Sequence, residues 1–538
     1  MLRSWLAIAL LAALLPGQAQ AATLRVQADG LGEYPTLQTA IDAAAVGDTV
    51  LAMPGTYTGE GNKNLDFQGK DLCLIGAGGP EETIIDCEFE GRGAYFGNGE
   101  SRAAVLQGFT IRNGLSIDES KGAGIRCESD PSLLDLVIED CQANYTGGLS
   151  INWGSPLVKG VSIRGCSTSD YGGGAMVCNG STAEFEDVEF VGNTGFCGGG
   201  VEVCNSTVAF RNVGFVGNAA GFQGGAAHCS GGTVFEDCTF VDNHSGHYGG
   251  AVRGGGVTLN RCLFVGNSTD GVGGAVCLLW DYGTSIVDCA FVENAAAAGG
   301  AIYIGEAPNQ GPVSTVMGCS FRGNLASGGA GSAVCANWGG LLAIQGSLLA
   351  YNPGGVGIYS NHGADIDLSC CDVYGNTPWN YGGDLTDQTG LDGNISQDPL
   401  FCVAEGEDLT VASLSPCLPG NNDCGVQMGA FGLGCTLTGV EEASPQYPML
   451  GANYPNPFNP STTIPFSLDA PATVSVSVLD VTGRLVTTLA REQDYPAGRH
   501  ELLWGGRDDA GRAMPSGVYF YRLGTQSGAA ALPMLLVK

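Results

Sequence analysis

The middle of the chain alternates short apolar runs with glycine and asparagine, and this pattern returns about every 25 residues. One unit, Val234 to Val252, reads VFEDCTFVDNHSGHYGGAV, and its neighbours read AFRNVGFVGNAAGFQGGAA and TLNRCLFVGNSTDGVGGAV. Short runs with apolar residues at alternate positions are typical of strands, whereas helical repeats need long segments with a period of 3.6. The repeat therefore predicts a solenoid in which each unit forms one coil and successive coils pair as parallel strands.

Equivalent positions of successive units form columns that we expect to stack along the solenoid axis. From Val188 onward, the Cys or Val of each unit is followed by Phe two positions later and by Asn five positions later. Stacked Phe rings would fill the interior, and each Asn amide would bond to the next. Gly-Gly pairs such as Gly224-Gly225 and Gly249-Gly250 suit a tight corner. The columns are Cys141, Cys166, Val188, Val213, Cys238, Cys262, Cys289 and Cys319; Phe190, Phe215, Phe240, Phe264, Phe291 and Phe321; and Asn193, Asn218, Asn243, Asn267, Asn294, Asn324 and Asn352.

A column of alternating charge lies two positions before the Cys or Val. On adjacent coils each charge would neighbour its opposite, which is a favourable cross-strand arrangement. We therefore interpret these residues as structural ion pairs and not as catalytic carboxylates. They are Glu139, Arg164, Glu186, Arg211 and Glu236.

The N-terminal end of the solenoid carries a different pattern, as expected of a cap that covers exposed core. Thr36 is placed to cap a short helix that has Leu37, Ile41 and Ala44 on one face, and a strand from Thr49 to Met53 follows. The predicted cap spans residues 22–64, and the β-helix spans residues 65–438.

Cysteines mark the C-terminal coil, which reads from Ile395 to Cys435. Two disulfides are expected among Cys402, Cys417, Cys424 and Cys435, with three possible connectivities. The cysteines of the repeat column are instead predicted to be buried thiols, because Val replaces Cys in equivalent coils, with oxidation of some adjacent pairs after export as the alternative.

The composition changes after Cys435, where residues 439–449 read as a linker. Residues 450–538 then hold short strand-like runs punctuated by turn residues, which predicts a β-sandwich of about seven strands. Four of the runs are Thr473 to Leu479, Arg484 to Leu489, His500 to Trp504 and Val518 to Leu523.

The first 21 residues read as a secretory signal peptide. Arg3 precedes an apolar stretch from Trp5 to Leu15, and Ala19-Gln20-Ala21 offers a cleavage site before Ala22. No later stretch provides the roughly 20 apolar residues of a transmembrane helix. We therefore expect a secreted protein, located outside the cell or attached to the outer membrane.

Charge narrows the class of partner. The net charge is −32, yet residues 446–538 hold seven basic and seven acidic residues, so the negative charge lies upstream. Such a surface repels phosphate backbones, which excludes nucleic acid as a favoured partner. Cations, basic groups and neutral glycans remain open.

Three tryptophans are candidates for glycan binding. Trp153, Trp280 and Trp338 follow predicted strands at similar offsets, and Trp280 and Trp338 are expected to lie about two coils, or roughly 10 Å, apart. Rings at that spacing can stack on sugar rings. The structural alternative is that they pack on neighbouring loops.

No motif identifies catalytic residues or a cofactor. Asp237, His228, Arg253 and Asp281 are the polar candidates on the outer columns for polysaccharide cleavage, and an acidic protein would need Ca²⁺ to hold a uronate. No metal site is predicted, because C-x₂-C is absent and His228 has no partner at ligand spacing in the sequence.

The FVGN, FVDN and FVEN units with their GGAV or GGAI partners resemble the repeats of chlamydial polymorphic outer-membrane proteins. They are also similar to coils of the pectin-lyase superfamily, and the likeness runs from Gly108 to Asn352. It implies a right-handed parallel β-helix. The signatures of pectinesterases and polygalacturonases are absent, and Asn361-His362-Gly363 matches one of them only superficially, so the resemblance implies no activity.

The C-terminal segment resembles type IX secretion sorting domains and FlgD-type Ig-like modules. The likeness implies recognition by an outer-membrane export machinery, with an ordinary Ig-like spacer as the alternative. The residues that carry it are Pro455, Asn456, Pro457, Phe458, Asn459, Pro460, Gly483, Ser516, Gly517, Tyr519 and Lys538.

Three functions follow from these features. The first is a secreted or cell-surface protein that binds glycans or surfaces and is exported and anchored through its C-terminal domain. The second is an extracellular polysaccharide lyase or glycoside hydrolase. The third is a passive structural surface protein.

Overall fold

The computed structural model describes residues 21–538 except 117–121, 230, 281–282, 306–311, 404–407, 437–448, 452, 469–470, 482–483, 497, 526–527 and 538. The predicted signal peptide and linker thus fall largely outside the described residues. Within them the protein is nearly all β-structure, arranged as a parallel β-solenoid and a small antiparallel sandwich. The predicted fold class is confirmed.

Each central coil passes through four parallel sheets, here numbered in chain order. The first sheet contains Thr23–Val26, Thr49–Ala52, Cys73–Gly76, Val105–Gln107, Ser132–Leu134, Leu157–Lys159, Glu184–Glu186, Ala209–Arg211, Val234–Glu236, Thr258–Asn260, Ser285–Val287, Ser314–Met317, Leu341–Gln345 and Asp365–Ser369. The second contains Gly55–Tyr57, Thr83–Asp86, Thr110–Arg112, Val137–Glu139, Ser162–Arg164, Glu189–Val191, Gly214–Val216, Thr239–Val241, Leu263–Val265, Ala290–Val292, Ser320–Arg322, Leu348–Ala350 and Asp372–Tyr374.

The other two sheets complete the coil. The third contains Leu115–Ser116, Gln142–Ala143, Ser167–Thr168, Thr194–Cys197, Ala219–Gln223, His244–Ser245, Ser268–Thr269, Ala295–Ala298 and Leu325–Ala330. The fourth contains Leu65–Asp66, Ala94–Phe96, Ile125–Cys127, Leu149–Asn152, Ala175–Cys178, Val201–Cys204, Ala227–Cys229, Val252–Gly254, Val276–Leu279, Ile302–Gly305, Val334–Ala336, Ile358–Ser360 and Tyr381–Gly383.

The Phe and Asn columns stack as predicted. Phe rings from Phe190 to Phe321 are buried and nearly parallel, with centroids 4.5–5.0 Å apart. Asn193 and its successors are buried, and each Nδ2 donates to the Oδ1 of the next Asn over 2.8–3.0 Å. The Asn ladder therefore satisfies buried polar groups at each coil from Asn193 to Asn352.

The Cys or Val column and the charge column each divide into two. Val188 and its successors lie between the first and second sheets, whereas Cys141 and Cys166 precede the third sheet and begin the Asn column, since the backbone N of Cys166 donates to Asn193 Oδ1 over 3.0 Å. Glu139 pairs with Arg164 in the second sheet, but Glu186 lies in the first. The predicted single columns were wrong. The step of 22 residues from Cys166 to Val188 ends one corner short of a full coil, so the two residues do not stack.

Glycine forms the corner between the third and fourth sheets. A Cβ on Gly225 would overlap the carbonyl oxygen of Gly250 on the next coil. Side chains are excluded there, so the third and fourth strands of a coil fold closely together.

The predicted N-terminal cap contains the expected short helix, Leu37–Ala43. Thr36 is its N-cap, and Leu37 and Ile41 are buried against the first coil. The strand that follows is Thr49–Ala52.

The pairing of the C-terminal cysteines differs from the expectation. Cys402 bonds to Cys435, but Cys424 bonds to Cys370. Cys417 stays a buried thiol, because the terminal loops pack it against the outer face of the second sheet beside Leu348, where its Sγ donates to Asp372 Oδ2 over 3.3 Å. These loops also form the short pair Val411–Ala412 with Leu433–Cys435.

A third disulfide joins Cys178 to Cys204 on adjacent coils of the fourth sheet. Disulfides persist in oxidising compartments, which indicates an extracellular protein. Over the part of the chain that is described, no helix is long and apolar enough to cross a membrane.

The C-terminal domain packs two antiparallel sheets around Trp504 and Tyr521. Its strands agree with the predicted runs to within a few residues, except that the second run extends to Tyr495. One sheet contains Met449–Leu450, Thr462–Leu468 and Gly498–Trp504; the other contains Leu485–Tyr495, Ala472–Asp480, Gly517–Thr525 and Gly528–Leu536.

Candidate functional site

The outer face of the fourth sheet holds a continuous column of polar and reactive side chains. Alternate residues of each strand fill the core, so the residues between them point outward. In register along the axis the outward column comprises Asp66, Tyr95, Arg126, Ser150, Met176, Glu202, His228, Arg253, Cys277, Tyr303, Cys335 and Tyr359. We call this set the outer column.

Much of the outer column is covered although it lies outside the coil. Glu202 is only 5% exposed, and Cys277 and Cys335 are buried. The cover comes from the ends of the third-sheet strands and the corners that follow them, where Gln223, Tyr248 and Val272 stack in register. The third sheet therefore forms a wall along one side of the outer column.

Glu202, His228 and Arg253 form a hydrogen-bonded chain across three coils. His228 Nδ1 lies 2.8 and 2.9 Å from the two carboxylate oxygens of Glu202, and His228 Nε2 lies 3.3 Å from Arg253 Nη1. A carboxylate only accepts and a guanidinium only donates, which places the imidazole proton on Nδ1. The chain therefore fixes both the orientation and the tautomer of His228.

Arg253 connects this chain to Trp280. Its guanidinium carbon lies 5.6 Å from the centre of the Trp280 ring, within cation–π range. Its Nε is buried and makes no hydrogen bond among the described residues. Arg253 thus has bonding capacity left for a ligand.

The three candidate tryptophans lie at one edge of the fourth sheet, in the turn that follows the strand. Trp153, Trp280 and Trp338 are 66%, 54% and 56% exposed, and their φ angles are 61°, 50° and 51°. Left-handed backbone is costly for a bulky residue and cheap for Asn, which occupies the same turn at Asn179 and Asn205. Trp at these positions therefore does not stabilise the turn.

The spacing of the tryptophans follows from the coils. Trp280 and Trp338 are two coils apart, as expected, whereas Trp153 lies five coils before Trp280, roughly 24 Å along the axis. Trp338 stacks on His362 with ring centres 4.1 Å apart. Only Trp280 contacts the Glu202–His228–Arg253 chain.

A second aromatic strip lines the opposite side, at the tips of the third-sheet strands. Phe196 stacks on Phe222 at 5.5 Å, and Phe222 meets His247 edge-on at 5.4 Å. On earlier coils Tyr145 stacks on Tyr171 at 5.9 Å. The outer column therefore runs between two aromatic margins.

A cavity of about 270 Å³ lies at the N-terminal end of the outer column. It is lined by Asn64, Asp66, Arg92, Tyr95 and Arg126. The Tyr95 hydroxyl donates to Glu128 over 3.0 Å, and Glu128 also binds Arg126 over 2.6 Å. This ion pair holds the polar wall of the cavity in place.

The structure brings together only some of the polar residues considered from sequence. His228 and Arg253 are adjacent, but Asp237 pairs with Arg261 on a turn after the first sheet, and Asp281 lies outside the described residues. The sequence reasoning missed Glu202 and Cys197. Their signal was a charged residue and a thiol flanking the GGG corner of the coil before His228.

Residues of the C-terminal motif hold the sandwich together. Phe458 is buried 5.5 Å from Trp504, and its backbone pairs with the last strand near Leu536. Asn456 Oδ1 accepts from Leu535 N over 2.8 Å, and the Tyr519 hydroxyl donates to Pro515 O. Gly483 and Lys538 lie outside the described residues, and recognition of the motif by an export machinery stays a prediction.

Comparison with known families agrees with this architecture. A family model of the right-handed beta helix region matches residues 92–249, and a model of the FlgD Ig-like domain matches residues 457–528. The chain is thus a right-handed parallel β-helix protein with a C-terminal FlgD Ig-like domain. No curated protein matches it.

Two solved structures are similar in part. One is the catalytic unit of a GH87 alpha-1,3-glucanase from Streptomyces thermodiastaticus, at 15% identity and a TM-score of 0.38 over 70% of this chain and 72% of the glucanase. The other is the enzymatically active domain of bacteriophage CBA120 tailspike protein 2, at 11% identity and a TM-score of 0.26 over 95% of this chain and 76% of the tailspike. At these values neither likeness bears on the function of this chain.

Proposed function

We propose that this protein binds an extended, neutral glycan along the outer column, between the tryptophan edge and the aromatic strip. The observation that carries the proposal is Trp280, an exposed ring in a left-handed turn where other coils have Asn, in contact with Arg253. A ring kept there against the preference of the backbone is explained by a role in binding.

The surroundings of Trp280 suit a sugar chain. Aromatic rings stack on the apolar faces of sugars, Arg253 and His228 offer polar groups beside them, and the buried Glu202 orients His228. The net charge of −32 opposes a polyanion, which favours a neutral glycan.

The test is a titration of the full chain with neutral and acidic polysaccharides, with and without Ca²⁺. The variant Trp280→Asn/Trp338→Asn substitutes the residue that earlier coils have in this turn, at Asn179 and Asn205, so the turn is preserved while both rings are removed. We expect saturable binding that this variant loses. Trp379→Asn, at a 70% exposed tryptophan elsewhere, is the matched control and should bind normally. Unchanged affinity in the double variant would exclude this site.

Cleavage of the glycan is a second candidate, favoured by the Glu202–His228 contact. A buried carboxylate that holds Nδ1–H leaves the lone pair on Nε2, and Nε2 becomes available as a general base once Arg253, which now donates to it over 3.3 Å, turns to the substrate. The same samples are therefore assayed for new reducing or unsaturated ends. Product that disappears in Glu202→Gln would make the protein an enzyme, and neither binding nor product would leave the passive structural role.

We further propose that the C-terminal domain directs export and attachment at the cell surface. The FlgD Ig-like match and the NPFNP segment paired with the last strand support this role. A reporter fused to residues 439–538 and expressed in a bacterium with type IX secretion should reach the surface, whereas the reporter alone should not. Retention of the fusion inside the cell would reduce the domain to a spacer.

A further inference from the structure

Three different metal-binding groups converge in the middle of the outer column. A thiol, a carboxylate and an imidazole, from Cys197, Glu202 and His228, have donor atoms within 4.8 Å of one another. We propose that these residues form a Zn²⁺ site, a function that does not depend on glycan binding.

The coil geometry creates this convergence. Cys197 ends a strand of the third sheet and Glu202 lies in the next strand of the fourth sheet, so the intervening Gly198-Gly199-Gly200 corner turns the two side chains toward each other. His228 is in register with Glu202 on the following coil. Sequence separations of 5 and 26 residues are thereby converted into direct proximity.

The environment favours a bound ion over solvent. Cys197 and Glu202 are 7% and 5% exposed, and the side chain of His228 is 18% exposed. Gln223 Nε2 donates to Cys197 Sγ over 3.4 Å and so orients the sulfur. Such outer-shell donors are common around metal ligands.

The donor set selects the class of metal. Mixed sulfur, nitrogen and oxygen ligands suit Zn²⁺, and ligands of a tetrahedral site lie about 3.5 Å apart. The donor atoms now lie within 4.8 Å of one another, so the ion would draw the most distant pair closer together. Thiolate and carboxylate together neutralise the ion, and three protein ligands leave a fourth position for water.

Zn²⁺ binding must change the protonation of Cys197 and His228. Burial raises the pKa of the Cys197 thiol, although the hydrogen bond from Gln223 lowers it, so the ion displaces the thiol proton. The imidazole changes tautomer, because it releases the Nδ1 proton to solvent and takes up one proton from solvent at Nε2. One proton leaves per ion, and the affinity should rise about tenfold per pH unit below the pKa of the thiol.

Arg253 connects the proposed Zn²⁺ site to Trp280, whose fluorescence provides a second measure of binding. When Nε2 carries the proton, it can no longer accept from Arg253 Nη1, now 3.3 Å away. The guanidinium must then leave His228, which changes its contact with Trp280. We expect Zn²⁺ to alter a tryptophan fluorescence component that Trp280→Asn removes.

The experiment titrates the full, chelator-treated chain with Zn²⁺ by calorimetry and with Co²⁺ by absorption spectroscopy. We expect one ion per chain and a thiolate-to-cobalt charge-transfer band. Cys197→Ser, His228→Asn and the nearly isosteric Glu202→Gln should each weaken Zn²⁺ binding by about 10- to 100-fold or more, since loss of even an outer-shell partner of a metal ligand typically has an effect of that size. Cys197→Ser should also abolish the charge-transfer band.

Two matched variants exclude adventitious binding. Cys73→Ser removes a half-buried thiol and His247→Asn an exposed imidazole of a neighbouring coil, and both should bind as the parent does. Absence of the band, or weakening by these controls equal to that of the cluster variants, would overturn the proposal. Circular dichroism of Glu202→Gln confirms that loss of binding is not loss of fold.

Discussion

Asn243 Oδ1 accepts from both the backbone N and the Nδ2 of Asn218, each over 3.0 Å, in the centre of the asparagine ladder. Asn243 Nδ2 in turn donates to Phe215 O and to Asn267 Oδ1 over 2.9 Å. One buried amide thus joins three successive coils.

Asn243→Ala should therefore strongly destabilise the solenoid. The substitution leaves two buried donors of Asn218 and the Oδ1 of Asn267 short of partners, at about 1–3 kcal/mol for each unsatisfied group. Urea unfolding followed by circular dichroism should show a loss of about 3 kcal/mol. Asn260→Ala, at an outward-facing position of the first sheet, is the control and should change stability by less than about 0.5 kcal/mol. Equal effects of the two variants would contradict the ladder.

Asp372 should make stability fall with rising pH. Burial raises its pKa to about 7, with Asp398 adding repulsion, whereas hydrogen bonds from Gln397 N and Cys417 lower it. The folded state therefore binds the proton more tightly than the unfolded state, whose pKa is about 3.9. The resulting stability is present below pH 4 and is lost as pH rises to 7, by about 4 kcal/mol at most.

Asp372→Asn should flatten that profile between pH 4 and 7 and raise the melting temperature at pH 8. The amide keeps an oxygen for Gln397 N and carries no charge. Melting curves of the two proteins across this range are the measurement, and parallel profiles would show that other groups cause the dependence.

The disulfides can be mapped by mass spectrometry of peptides prepared without reductant. We expect peptides that link Cys402 to Cys435, Cys370 to Cys424 and Cys178 to Cys204. Cys417 should react with an alkylating agent only after unfolding, because it is buried and burial raises its thiol pKa. A bridge that contains Cys417 would contradict the fold of the terminal coil.

Arg322 should hold the terminal loops against the solenoid. It is 7% exposed, its Nη1 donates to Val403 O over 3.1 Å and to Asp408 O over 3.3 Å, and it lies 4.6 Å from the Phe401 ring. Arg322→Met should cost about 2–4 kcal/mol, because buried carbonyl groups lose a charged donor. Limited proteolysis should then cut near residue 403.

Arg211→Met provides the comparison. Arg211 is a half-exposed arginine whose Nε lies 3.6 Å from Glu236, so its loss should cost below about 1 kcal/mol and leave the cleavage pattern unchanged. Cleavage near residue 403 in this variant would show that Arg322 is not the anchor.

The sequence by itself determined the coil and its interior. The Phe and Asn columns are readable because each coil repeats one environment, so the same residue returns at the same step. The Thr36 cap and the strands of the sandwich follow from local rules of capping, alternation and turns. The prediction of a single column from Cys141 to Cys319 was wrong at the step of 22 residues from Cys166 to Val188, where the column changes to a different corner. Spacing alone does not say which corner of the coil a residue occupies.

Only the tertiary structure decided which outward residues meet. Glu202 and His228 are 26 positions apart, and Cys197 reaches them only because a glycine corner folds the third sheet onto the fourth. The partner of Cys424 was likewise Cys370 and not another cysteine of its own segment. Proximity between coils depends on the angle of each corner and the register between turns, and these arise from packing of the whole solenoid.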